Sequence, residues 1–115
     1  MDITTRDIGG IVVFDIKGGV VRSDIHKATI HEAVKSQLER GRRNILLNLE
    51  NVAFIDSWGV GEMLASYTSI QNLGGKMRLA RISRKLEIVF KVTLLDRVFE
   101  IFDSEAAALQ SFTKS

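Results

Sequence analysis

The sequence of 115 residues contains no cysteine, and it has no long hydrophobic run. Without cysteine the chain can form neither a disulfide bond nor a thiolate zinc site. None of its apolar segments approaches the roughly 20 residues that a membrane-spanning helix requires. The first ten residues, MDITTRDIGG, are too polar for a signal peptide. From these absences we expect a cytoplasmic protein without a membrane contact.

Aromatic residues are also scarce, and neither sign of charge dominates. Aromatics make up 7% of the chain, and 16 basic residues face 14 acidic ones. The basic residues form only short clusters, within residues 40–43 and 81–85, and no aromatic side chains are interleaved with them. Such short clusters are typical of solvated helix ends and loops. We therefore expect no direct contact with nucleic acid.

The chain shows no internal division. It has no proline, no low-complexity segment, no linker and no repeat, and its length suits one domain over residues 1–115. Hydrophobic residues make up 45% of the sequence, enough to form a core.

Glycine pairs and apolar periodicity predict the elements. The segment IVVFDIKG is typical of a strand, and with DITTRDI before it predicts a hairpin that turns at Gly9-Gly10. Apolar residues at helical spacing then predict a helix from Ile25 to about Arg40, with Asp24 as its N-cap and Gly41 as its stop. A strand is predicted over 44–50, followed by a helix from the FIDS segment to Gly74-Gly75 and a strand over 76–82. The next helix is predicted over 83–95, and its apolar residues Leu86, Val89, Phe90 and Leu94 lie on one face. A strand over 98–103 and a helix over 103–112 that is capped by Asp103 complete the chain.

The predicted order of elements is β-β-α-β-α-β-α-β-α. Strands that alternate with helices imply right-handed crossovers and parallel strands. We therefore predict an α/β fold: a mixed, mostly parallel sheet with an N-terminal antiparallel hairpin and about four helices.

No pattern in the sequence supports catalysis. Ile55 stands where a nucleophile elbow needs its first glycine, and Leu64 stands where a dinucleotide fingerprint needs its third. No P-loop is present. His26 and His31 are five residues apart, which does not place them on one helix face as a metal pair. A catalytic triad assembled in space is not excluded but has no support, and we expect no enzymatic activity, no metal and no cofactor.

The segment FIDSWGVG, residues 54–61, joins a strand to a helix. Asp56 and Ser57 therefore follow a strand's carboxyl end, where ligands gather in parallel sheets. A phosphate on Ser57 would be favoured by the positive end of the helix dipole and would repel Asp56 and any acidic partner. The alternative is that one of these two residues only caps the helix.

The same segment resembles the signature of the STAS domains, and specifically of the bacterial anti-sigma factor antagonists: a strand, then Asp-Ser-[Ser/Thr]-Gly-Leu-Gly, then a helix. Here the motif is Asp56-Ser57-Trp58-Gly59-Val60-Gly61. The segments NILLNLENVAFIDS, SIQNLGGKMRLARIS and VFEIFDSEAAALQSF are also similar to the family, so the resemblance spans nearly the whole chain.

The resemblance implies a phosphorylation switch. In the family the unphosphorylated antagonist binds an anti-sigma factor that is also a serine kinase of the histidine-kinase-like ATPase fold, and this frees a sigma factor. Phosphorylation of the motif serine breaks the complex, and a PP2C-type phosphatase restores it. Carried over, Ser57 would be the phosphoacceptor, and Asp24, Asp56, Trp58, Gly59 and Gly61 would join it in binding the partner.

Two features of the motif leave alternatives open. Trp58 replaces the family's second hydroxyl residue, and it could either anchor the partner or cover the end of the sheet. Gly59 and Gly61 could give a partner access to the backbone, or could serve close packing of the helix.

The function has an alternative within the same family. The chain could be a stressosome-type scaffold subunit whose serine phosphorylation tunes assembly, and a small-molecule-binding STAS domain is a third class. The sequence does not fix the oligomeric state, and a homodimer is kept as one alternative.

Overall fold

The computed structural model describes residues 1–24 and 29–113, and of Asp24 it describes only the backbone. The strands are β1 (Asp2–Ile8), β2 (Ile11–Val20), β3 (Asn44–Ile55), β4 (Lys76–Ala80) and β5 (Glu100–Phe102). The helices are α1 (Ile30–Glu39), α2 (Ser57–Asn72), α3 (Arg84–Val92) and α4 (Glu105–Thr113). Short 3-10 turns span Arg22–Asp24 and Leu95–Arg97. The predicted element order is confirmed.

The five strands form one sheet in the order β1-β2-β3-β4-β5. β1 pairs with β2 antiparallel, and the other neighbours are parallel. The hairpin turns at Gly9 and Gly10, as predicted, and both have positive φ, +56° and +84°. Two-residue hairpin turns with this geometry favour glycine because a side chain at positive φ is strained. The predicted mixed sheet with an N-terminal hairpin is confirmed.

Helices cover both faces of the sheet, and side chains alternate between two cores. Along β3, Ile45 and Leu47 point into the larger core, which is shared with α1, α2 and α3. Leu46 points the other way, into a smaller core that α4 completes with Ala108 and Phe112. This alternation follows from the two-residue period of a strand, and because both faces are covered, β3 is continuously buried from Ile45 to Leu49.

A cluster of ion pairs anchors α4 to the hairpin. Arg6 on β1 donates hydrogen bonds to Asp15 on β2 (Nη2 to Oδ1, 2.8 Å) and to the Glu105 carboxylate in the first turn of α4. The side chain of Asn48 on β3 donates to Glu105 Oε1 at 3.0 Å. The Arg6 guanidinium, supported by Asn48, lowers the pKa of Glu105 below its ordinary value.

Some predicted boundaries need correction. α1 begins at Ile30 and is capped by Thr29, whose side chain accepts a hydrogen bond from Glu32 N, so Asp24 does not cap this helix. The predicted stretch 25–28 lies outside the described residues. The stop at Gly41 is confirmed: α1 ends at Glu39, and Gly41 has a φ of +83°.

The predicted third helix is too long at its C-terminal end. α3 ends at Val92, and Leu94, predicted on its buried face, has a φ of +63° and is exposed. Leu95 in the following turn is buried instead. The left-handed conformation at Leu94 redirects the chain, so the helical period no longer determines which side chain meets the core.

The remaining boundaries differ by a few residues. β3 extends to Ile55 because it keeps pairing with β2 across two register shifts. The side chain of Ser104 accepts from Ala107 N at 3.1 Å, so Ser104 rather than Asp103 caps α4. β5 covers only Glu100–Phe102 of the predicted 98–103. Within the described ranges, no helix combines the length and the apolar character needed to cross a membrane.

Candidate functional site at the start of α2

The carboxyl ends of β2 and β3 meet at one edge of the sheet. Val20, the last residue of β2, is paired with Ile55, the last residue of β3. Each strand is followed immediately by a turn or helix: Arg22–Asp24 after β2, and α2 from Ser57 after β3. The motif residues and the backbone of Asp24 are therefore brought to the same edge, as parallel strands require.

Asp56 joins these two segments through its carboxylate. Oδ1 accepts a hydrogen bond from Gly59 N at 2.8 Å, which makes Asp56 the N-cap of α2. Oδ2 accepts from Arg22 N at 3.2 Å, 34 positions earlier in the chain. Its own N–H donates to Val20 O at 3.3 Å. The motif aspartate thus ties the start of α2 to the turn after β2.

Ser57 is the first residue of α2, and its side chain is exposed. Because Asp56 provides the cap, the Ser57 hydroxyl is not needed to satisfy the helix, and it makes no hydrogen bond to any described residue. The first intrahelical bond runs from Val60 N to Asp56 O at 3.0 Å, so the N–H groups before it point out of the helix end. Of the two residues that could cap, the structure assigns the cap to Asp56 alone.

The two motif glycines have different surroundings. A Cβ added at Gly59 would lie 2.0 Å from Val20 O and 2.9 Å from Ile55 Cγ2, so only glycine fits there. A Cβ at Gly61 would meet nothing within 4 Å. Close packing against the end of β2 explains Gly59 completely, whereas no packing constraint explains Gly61.

Trp58 packs partly buried against the larger core. This contact agrees with the packing alternative for Trp58, and its role as a partner anchor stays a prediction. The hydroxyl that it replaces would not provide this contact, since a serine or threonine side chain is too short to reach the core.

Other residues considered in the sequence lie apart from this edge or outside the described ranges. The side chain of Asp24 is not described, and neither is His26. His31 lies in α1, where its ring Nε2 is 3.0 Å from the Ser69 hydroxyl of α2. The backbone N–H of His31 donates a hydrogen bond to the Glu62 carboxylate. Arg22, which no sequence pattern singles out, contributes only its backbone amide, a group that every residue but proline has.

The STAS domain family matches residues 2–108 of the chain, and the chain belongs to that family. A Paenibacillus polymyxa relative, named anti-sigma F factor antagonist, is 28% identical over 102 residues, which cover 87% of this chain and 85% of the relative. A Thermotoga neapolitana relative, named as a candidate anti-sigma factor antagonist, is 34% identical over 73 residues. That match covers 64% of this chain and 65% of the relative, slightly less than two thirds of its length.

Solved structures show the same fold. A Thermotoga maritima protein described as a candidate anti-sigma factor antagonist superposes with a TM-score of 0.84 at 24% identity, over 97% of this chain and 95% of that one. The Bacillus cell fate determinant SpoIIAA in its phosphorylated form superposes with a TM-score of 0.72 at 20% identity, over 96% and 98%. At these identities the likeness concerns the fold.

Proposed function

We propose that this protein is an anti-sigma factor antagonist switched by phosphorylation of Ser57. In its unphosphorylated form it binds an anti-sigma factor that is also a serine kinase of the histidine-kinase-like ATPase fold, and so releases a sigma factor. The kinase transfers a phosphoryl group to Ser57 and the complex dissociates, and a PP2C-type phosphatase reverses the modification. The protein itself acts by binding its partner, and it catalyses no reaction.

One observation carries the proposal. Ser57 has an exposed hydroxyl at the carboxyl edge of the sheet, while its neighbour Asp56 performs the structural task that usually explains a polar residue before a helix. A hydroxyl with no role in the fold is free to be modified without loss of structure.

The electrostatics of this position suit a switch. A phosphate on Ser57 adds nearly two negative charges beside the positive end of the α2 dipole, which stabilises it within the protein. The same charge changes the surface that a partner would meet, and it repels Asp56 and any acidic group placed against it. The modification can therefore block an interface while the fold is preserved.

The relatives support the proposal by their names. The Paenibacillus polymyxa protein is an anti-sigma F factor antagonist, and SpoIIAA has been solved in a phosphorylated form. The motif aspartate and serine are present here as Asp56 and Ser57. The partner-binding role of Asp24, Trp58 and Gly61 is part of the proposal, and Gly59 contributes by holding the edge in place.

The experiment is a phosphorylation assay with the native host's kinases. Each serine kinase of the histidine-kinase-like fold from that host is purified and incubated with ATP and this protein, and intact mass and peptide fragmentation locate any phosphate. We expect one phosphoryl group, on Ser57, which is absent in Ser57→Ala and present in Ser36→Ala, a control at another exposed serine.

Two results would contradict the proposal. The first is that no kinase of this class modifies or binds the protein. The second is that the purified protein forms large homo- or hetero-oligomers that contain no kinase, as measured by size-exclusion mass, which would favour the scaffold subunit instead.

A further inference from the structure

α3 carries apolar side chains on its solvent side as well as on its core side. Leu86 and Phe90 are buried against the sheet. Ile88 and Val92 are 58% and 77% exposed, and their spacing of four residues puts them on the same outer face. A single exposed hydrophobic side chain is ordinary, but two at helical spacing make an apolar stripe whose exposure to water is unfavourable in free energy.

This stripe is continuous with the edge that carries Ser57. Phe54 lies three residues before Ser57 near the end of β3, and its side chain is 53% exposed. Lys85 in the first turn of α3 holds its Nζ 5.8 Å from the centroid of the Phe54 ring, within the range of a cation–π contact. Lys85 is three residues before Ile88, so the two are neighbours on the helix surface. We name Phe54, Lys85, Ile88 and Val92 the α3 stripe.

The charged residues of α3 itself are mainly positive. Arg84 and Lys85 lie at its start and Lys91 lies beside Val92, whereas Glu87 is the only acidic residue of the helix. Glu87 is already paired with Lys91 at 3.7 Å. Two copies of this surface placed face to face would bring like charges together, which disfavours a self-association and favours an acidic partner surface.

We propose that the α3 stripe is a second docking surface for the anti-sigma kinase, and that it receives an apolar segment of the kinase flanked by acidic residues. This inference rests on the proposed function, because continuity with the Ser57 edge is what identifies the occupant. Charge complementarity identifies the chemistry of the segment. Ile88 and Val92 lie on the outer surface of α3, and the stripe reaches the Ser57 edge through Lys85 and Phe54. The stripe therefore supplies affinity that a phosphate on Ser57 then overrides.

The test measures binding of the unphosphorylated protein to the kinase that modifies Ser57, by titration calorimetry without ATP. The double variant Ile88→Ser/Val92→Ser should bind at least about tenfold more weakly, because two anchors lose their buried apolar area. Both side chains are exposed, so the fold should tolerate the change. The matched control is Leu73→Ser, an exposed leucine (51%) that follows the C-terminus of α2, and its affinity should equal that of the wild type.

A charge reversal tests the chemistry of the partner segment. Arg84→Glu/Lys85→Glu should weaken binding by about tenfold or more at low salt, and the difference should shrink as salt is raised. Acidic residues in the first turn interact favourably with the helix dipole, so α3 should remain folded in this variant. An affinity that is unchanged at low salt would overturn the assignment of an acidic partner.

The outcomes separate this inference from the proposed function. If Ser57→Asp abolishes binding while Ile88→Ser/Val92→Ser binds like the wild type, the docking surface is overturned and the switch stands. If the wild type binds no such kinase, both are overturned. A dimer seen by sedimentation, or binding to phosphatidylglycerol vesicles, that the double variant loses would assign the α3 stripe to a second copy or to a membrane and would overturn the inference.

Discussion

Asp56 and Ser57 are adjacent polar residues, and only the first is used by the fold. The Asp56 carboxylate satisfies two backbone amides, Gly59 N and Arg22 N, from two different segments. The Ser57 hydroxyl makes no hydrogen bond to the described part of the chain. Of this polar pair Asp56 therefore has the structural task, which leaves Ser57 available for the regulatory task proposed for it.

This division predicts unequal effects of two alanine substitutions on the free energy of unfolding. Asp56→Ala should lower the free energy of unfolding by about 1–3 kcal/mol, because it removes a cap and leaves Arg22 N without its acceptor. Ser57→Ala should change it by no more than about 0.5 kcal/mol. Urea denaturation of both variants and the wild type measures the difference. A loss in Ser57→Ala as large as in Asp56→Ala would show that the serine also supports the fold.

The two motif glycines give a second matched pair. Gly59→Ala would place a methyl group 2.0 Å from Val20 O, so it should cost about 3 kcal/mol or more, as the backbone must move. Gly61→Ala meets nothing within 4 Å and should stabilise the helix by about 0.5–1 kcal/mol. Equal effects of the two substitutions in chemical denaturation would contradict the packing described for Gly59.

At the scale of the elements, α4 depends on a polar anchor as well as on its apolar face. Ala108 and Phe112 are buried in the smaller core, while Glu105 in the first turn is held by Arg6 and Asn48. The anchor reaches β1 and β3, so it fixes the helix to strands on both sides of β2. Its strength depends on the charge of the Glu105 carboxylate.

This charge predicts a loss of stability in acid. Arg6 lowers the pKa of Glu105 in the folded protein below the ordinary 4.5, so the carboxylate stabilises the fold above about pH 4.5. That contribution disappears as the pH falls through the lowered pKa. We expect the free energy of unfolding to fall less steeply between pH 5 and pH 2 in Glu105→Gln than in the wild type, in urea titrations at each pH.

Asp7 adds to the same trend in both proteins, because hydrogen bonding to Arg42 also lowers its pKa. The control is Glu87→Gln, which changes an exposed carboxylate on α3 and should keep the wild-type slope. An identical slope in Glu105→Gln and the wild type would show that the anchor is not charge-dependent.

The order of the elements could be predicted from the sequence, because hydrophobic period and glycine pairs are local signals. The turn at Gly9-Gly10 and the end of the helix at Gly41 require positive φ, which glycine adopts readily, so the glycines predict both. The boundaries that depend on tertiary contacts could not be predicted from the sequence. Asn51, Ala53 and Phe54 are exposed, so the second half of β3 has no clear strand pattern in the sequence, and it forms because β2 continues beside it. Leu94 has the apolar character of a core residue, and nothing in the sequence indicates its left-handed backbone conformation.

The site shows the same limit. The motif identified the residues of the edge, but it left open whether Asp56 or Ser57 caps α2 and whether the glycines serve packing. Both questions depend on the distance to Val20 and on which carboxylate oxygen meets which amide. The α3 stripe was also not foreseen, since Ile88 and Val92 have the same apolar character as the buried residues of their helix.

At the scale of the whole molecule, the switch as proposed changes the surface and leaves the fold intact. The chain carries a formal charge of +2, and a phosphate of nearly two negative charges would almost cancel it. The charge would be concentrated at one edge of the sheet, next to the cationic start of α3. A partner would then meet a different electrostatic surface on an unchanged scaffold.

The phosphomimetic Ser57→Asp tests this separation of surface and fold. The helix dipole stabilises the new charge and Asp56 repels it, so the free energy of unfolding should stay within about 1 kcal/mol of the wild type. Thermal unfolding followed by circular dichroism measures this, and Asp56→Ala serves as the destabilised reference. A melting temperature of Ser57→Asp that falls as far as the reference would mean that lost binding reflects lost structure.

The two hydrogen bonds accepted by Asp56 have a spectroscopic consequence. The amide protons of Arg22 and Gly59 point at the two different oxygens of one carboxylate, although the residues are 37 positions apart in the chain. Their resonances in an amide correlation spectrum should therefore move together whenever that carboxylate is disturbed. A phosphate or partner arriving at the Ser57 edge would shift both signals, and a ligand bound only at the far end of α3 would shift neither. These two amides would thus report on the state of the proposed switch.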